Sequence, residues 1–154
     1  MTAQKKRPLS KTAQCRSARL LAVQTLYGVL HTDNDMKEAV ADTLVKAEHM
    51  EIDGEELVPP NKILFQKILY GFNARKEDVE HVIAGALTTK KSGETETLLH
   101  AILCCGVYEL LAHNDIDAPI IINDYLDVAH GFYESGQVKL INGVLDKAAK
   151  ALRS

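Results

Sequence analysis

The stretch from Leu98 to Leu111 leaves a chain like this few ways to fold. Leu98, Leu99, Ala101, Ile102, Leu103, Cys105, Gly106, Val107, Leu110 and Leu111 fall on every side of a helical wheel rather than along one stripe. A helix that is apolar all round belongs in the middle of a domain, and this one is too short to span a bilayer. Each fully buried Leu or Ile contributes roughly 1.5–3 kcal/mol, so the segment can anchor a whole fold. Gly106 weakens the helix by about 1 kcal/mol relative to Ala, and the expected compensation is close approach of a neighbouring helix. Tyr108 and Glu109 are the polar exceptions.

Other segments have helical spacing and no convincing two-residue alternation. A first helix is expected over about 13–30, with Ala18, Leu21, Ala22, Thr25, Leu26 and Val29 inward. Asp35 and Glu38 resemble a capping box at the start of a second, reaching about Met50. A charged loop, Glu51–Glu56, and Pro59–Pro60 precede a third helix, about 62–72, capped by Asn61. The fourth ends near Thr88, the polar turn Lys90–Glu94 follows, and Thr95 can cap the central helix, about 95–113. Pro119 interrupts the chain before a sixth helix at about 120–132, with Ile122, Tyr125, Leu126 and Ala129 inward. The last runs over about 137–152. Its internal Asn142-Gly143 is expected to serve packing, with Gly143 admitting a neighbour and Asn142 bonding to a helix end. The fold class is all-α, with about seven helices.

The 154 residues, 46% hydrophobic and 25% charged, suit one well-cored globular domain. No secretory signal or membrane span is seen, and a cytoplasmic protein is expected. Three cysteines, two of them adjacent (Cys104 and Cys105), with no C-x-x-C, are expected to be reduced core hydrophobes. No two of the six histidines lie three or four residues apart. There is also no phosphate-cradling Gly-rich loop, G-x-S-x-G or H-E-x-x-H, so no catalytic site, cofactor or metal is implied.

The net charge of −3 hides an asymmetry. Lys5, Lys6, Arg7, Lys11, Arg16 and Arg19 give residues 1–32 a charge of +6, and the remainder carries −9. Residues 1–12 form an expected flexible basic arm and 13–154 a single helical domain. Such an arm fits a nucleic-acid or acidic-partner contact, or a solvated tail. Arg16, Arg19, Val23 and Tyr27 fall on one stripe of the first helix. Two guanidinium groups and a phenol suit phosphate contact and base stacking, but a half-buried tyrosine beside two ordinary surface arginines would give the same pattern.

Four stretches in order and spacing resemble the NusB family of transcription antitermination factors. They are Arg16-Ser17-Ala18-Arg19 with Ala22 to Tyr27; Leu103 to Leu111 with Val107-Tyr108-Glu109-Leu110; Ile122-Asn123-Asp124 after Asp117-Ala118-Pro119; and Leu140 to Asp146 around Asn142-Gly143. The resemblance implies two packed helical bundles around the central helix and no enzymatic activity. It implies binding of boxA-type single-stranded RNA together with NusE, a small-subunit ribosomal protein, on the transcription elongation complex of ribosomal RNA operons. By position it puts Lys5, Lys6, Arg7, Lys11, Arg16, Arg19 and Tyr27 on the RNA side, with Gln137, Lys139 and Leu140 near it. Arg19→Ala would then weaken binding and flatten its salt dependence. Three positions depart from the family pattern: Leu140 replaces a Phe, Cys104 an Arg, and Asp124 a Glu.

Two other readings stand beside this one. One is an RNA-targeting domain related to the amino-terminal part of ribosomal RNA cytosine methyltransferases, which would need an α/β domain that these residues lack. The other is a helical module gripping an acidic protein partner. Either a monomer or a homodimer fits the sequence.

Overall fold

In a computed structural model, residues 10–50, 59–87 and 96–153 are described, except for the side chains of residues 49 and 50. They form α1 (Lys11–Thr32), α2 (Met36–Met50), α3 (Lys62–Ala74), α4 (Lys76–Ala86), α5 (Thr97–Ala112), α6 (Ala118–His130) and α7 (Ser135–Arg153). The expected Glu51–Glu56 loop, the Lys90–Glu94 turn, the Thr95 cap and the basic residues Lys5, Lys6 and Arg7 lie outside the described residues.

α5 is the axis. Every residue from Ala101 to Leu110 is buried, and α1, α3, α4, α6 and α7 all pack on it. α1, α2 and α3 form one bundle, while α4, α6 and α7 gather with α5 into the second. Close approach at α5 depends on glycine at two places. A Cβ on Gly106 would lie 2.8 Å from Leu145 Cδ2, so α7 presses on α5 at that point. Gly71 of α3 leaves the space filled by the Tyr108 ring, and an added Cβ would overlap that ring and its hydroxyl.

The helix ends follow from local chemistry. Ser10 Oγ accepts from the Ala13 N–H at 3.1 Å and starts α1, so Lys11 and Thr12 are helical rather than part of a flexible arm. Asn61 Oδ1 accepts from the Leu64 N–H at 3.0 Å, as expected from the sequence. Asp33 ends α1 in the left-handed region, at φ 60°, a conformation that Asp tolerates better than most residues. α6 begins at Ala118, not after Pro119, because a proline in the first turn gives up an N–H that has no intrahelical acceptor anyway. Its inward face is Ile121, Asp124, Tyr125, Val128 and Ala129, with Ile122 and Leu126 only half-buried. The C-terminal carbonyls of α5 are met by Arg153 of α7. Its guanidinium donates to Leu110 O at 3.0 Å, His113 O at 2.8 Å and Ile116 O at 2.6 Å.

Gly143 does not serve packing. Nothing lies within 4 Å of where its Cβ would be, and Asn142 and Gly143 are both exposed on the outer face of α7. Cys104 and Cys105 are buried as expected, and burial pushes both thiols up and keeps them protonated.

Candidate nucleic-acid interface

The stripe of Arg16, Arg19, Val23 and Tyr27 divides into an outer and an inner part. Arg19 and Val23 are buried, Tyr27 is half-buried, and the Arg16 side chain is 53% exposed. The cause is the docking of α5 and α6 on this side of α1.

Arg19 is the centre of a polar knot. Its Nε donates to Glu109 Oε2 at 2.7 Å and its Nη2 to Glu109 Oε1 at 3.0 Å, while Nη1 donates to Asp124 Oδ2 at 2.8 Å. The Tyr125 hydroxyl donates to Glu109 Oε2 at 2.6 Å, and His113 Nδ1 lies 2.8 Å from Oε1. Burial alone raises the Glu109 carboxyl, but the hydrogen bonds from His113 and Arg19 outweigh it and hold the group below the usual carboxylate range. Burial lowers the Arg19 guanidinium, and the Glu109 hydrogen bond and charge more than reverse this. With only 2% of its side chain exposed, Arg19 cannot reach a phosphate. The expectation that it contacts RNA is therefore corrected: Arg19 ties α1 to α5 and α6. The sequence hid this because its carboxylate partners lie 90 and 105 residues away.

Arg16 stays at the rim. Its Nε is 3.6 Å from both Asp124 Oδ1 and Asp127 Oδ2, the latter on a half-exposed side chain. Lys11 is exposed five residues earlier on the same helix. The Tyr27 ring stacks on His31, with centroids 5.5 Å apart and planes 17° apart. Tyr133, between α6 and α7, donates from its hydroxyl to Glu96. Burial and that carboxylate push its phenol up. Gln137, Lys139 and Leu140 are exposed at the start of α7, which packs on α5 and α6 but not on α1. Among the described residues no helix is long and apolar enough to cross a membrane.

The described residues form an all-helical domain with a buried ion-pair knot and a first helix that carries basic but no acidic side chains. Similarity to known proteins makes the assignment narrower. The NusB family matches residues 16–150. Transcription antitermination protein NusB of Allorhizobium ampelinum is 34% identical, over 99% of this chain and 97% of that protein. The protein of the same name from Mesorhizobium japonicum is 33% identical, over 89% of both. Among solved structures, NusB from T. maritima superposes with a TM-score of 0.71 at 20% identity, covering 95% of this chain and 93% of that one. A crystal structure of antitermination factors NusB and NusE in complex with dsRNA gives a TM-score of 0.71 at 20% identity, over 88% of this chain and 96% of that one. The chain belongs to the NusB family of transcription antitermination factors.

Proposed function

We propose that this chain is a non-enzymatic RNA-binding antitermination factor that engages boxA-type RNA together with NusE and acts on the elongation complex of ribosomal RNA operons in the cytoplasm. Family membership over residues 16–150 carries the reading. Within the chain it is supported by the exposed Lys11 and Arg16 on α1, which continue the basic run of Lys5, Lys6 and Arg7. Arg16 contacts phosphate, and Tyr27, already stacked on His31, offers a ring for a base. Gln137, Lys139 and Leu140 form a second, smaller contact, where Leu140 supplies apolar cover without aromatic stacking. Should free chains pair as a homodimer, this reading requires that α1 stay open in the pair.

The test is binding of labelled boxA RNA against a scrambled RNA, with and without NusE, at near-physiological salt. The expected result is sequence-selective binding that tightens with NusE. Arg16→Ala should reduce the salt slope by about 0.7 for each single-strand phosphate that the guanidinium neutralises. Equal binding of both RNAs, unaffected by NusE, would leave only a basic helical domain.

A further inference from the structure

On the far side of α5 from most of the Arg19 contacts, three side chains of unlike chemistry converge. His100 and Cys104 stand four residues apart on α5, hence on one helical face, and Glu80 reaches them from α4. His100 Nε2 is 2.7 Å from Glu80 Oε1, Cys104 Sγ is 3.4 Å from the same oxygen, and the three donor atoms all lie within 4.8 Å of one another.

We propose that Glu80, His100 and Cys104 bind a zinc ion with one thiolate, one imidazole and one carboxylate ligand. This donor set suits zinc better than magnesium or calcium, which take oxygen ligands almost exclusively. In a tetrahedral zinc site the ligand atoms stand about 3.3–3.8 Å apart, given bond lengths of about 2.0–2.3 Å. The Glu80–Cys104 separation already meets that spacing, and the Glu80–His100 pair, at 2.7 Å, must open by about 0.6 Å to reach it. Glu80, 41% exposed, can make that shift, whereas Cys104 forms a fixed, buried floor.

The exposed side leaves the fourth position to water. Binding displaces the Cys104 proton to solvent, so affinity rises with pH. Lys76, one turn before Glu80, opposes a cation there, but it is exposed and screened by solvent. The ion would fasten α4 to α5 independently of any RNA contact. The sequence signal is the four-residue His100–Cys104 spacing, which the distribution of histidines alone does not reveal.

The experiment uses the full chain without an affinity tag, stripped by chelator and titrated with Co²⁺ and then Zn²⁺. The expected result is a thiolate-to-cobalt charge-transfer band that saturates at one equivalent and is bleached by zinc. Cys104→Ser should abolish the band. Glu80→Gln and His100→Ala, at partly exposed positions, should retain the fold by circular dichroism and weaken affinity by at least about tenfold. No band in the unmodified chain would overturn the site. So would a band that survives Cys104→Ser, which would put the ion on Cys15 or Cys105, or affinity unchanged in Glu80→Gln and His100→Ala. Any of these results would leave Glu80 and His100 as a plain polar contact.

Discussion

Arg19 and Glu109, 90 residues apart in the chain, meet through two parallel hydrogen bonds of 2.7 and 3.0 Å inside the protein. Removing the guanidinium leaves Glu109 and Asp124 buried without their cation. Arg19→Ala should therefore cost about 3–5 kcal/mol, the range for breaking a buried pair from one side. Urea denaturation measures it. The folded fraction should keep the wild-type salt slope for RNA, and a stable Arg19→Ala variant with a flattened slope would refute the assignment of Arg19 to the core.

The depressed Glu109 carboxyl makes stability depend on pH in one direction. Its contribution is complete above the unfolded-state value of about 4.3 and is lost as pH falls through the lower folded value. Unfolding temperature should thus be insensitive to this group near neutrality and drop in acid. Glu109→Gln should lower stability at pH 7 and give a shallower acid decline. A decline of unchanged steepness in the variant would place the acid-sensitive group elsewhere.

Three glycines should respond differently to alanine. Gly71→Ala drives a methyl into the rigid Tyr108 ring and should destabilise by about 1–3 kcal/mol. At Gly106 the obstacle is the flexible end of Leu145, so strain and the helix-propensity gain of about 1 kcal/mol should nearly cancel. Gly143 faces open space, and Gly143→Ala should stabilise by about 1 kcal/mol. Thermal melts of the three variants check the order.

Asp127 competes for Arg16 at the rim. Asp127→Asn should tighten RNA binding about two- to fivefold, matching the weight of a surface ion pair of up to about 1 kcal/mol. Paired with Arg16→Ala, the gain should vanish. Fluorescence anisotropy at one fixed salt concentration reads both.

Much of the architecture was legible where a residue's environment is set by its near neighbours. The all-round apolar surface from Leu99 to Leu110 could only be central, and Asn61 could be assigned as a cap because its acceptor and donor lie three residues apart. Gly106 was foreseeable for the same reason: a glycine inside a buried helix needs a neighbour to justify it. The interface was less legible. A helical arginine is exposed by default, and nothing local to Arg19 announces Glu109 or Asp124. Pro119 and Gly143 show the same limit in reverse. A proline can open a helix as readily as it ends one, and a helical glycine need not be a contact.

The apolar surface of α5 sets its rotation only at the two places where Leu145 presses on Gly106 and Tyr108 fills the space at Gly71. Glu109 supplies the missing direction. Sliding α5 by one residue would swing that carboxylate about 100° around the axis, given 3.6 residues per turn, and strand it among aliphatic side chains. Arg19, Asp124, Tyr125 and His113 would lose their shared partner in the same step. The knot thus works as an orientation key: together with the contacts at Gly106 and Gly71, a buried charge selects one rotational setting, and with it the placement of the exposed side of α1 relative to α6.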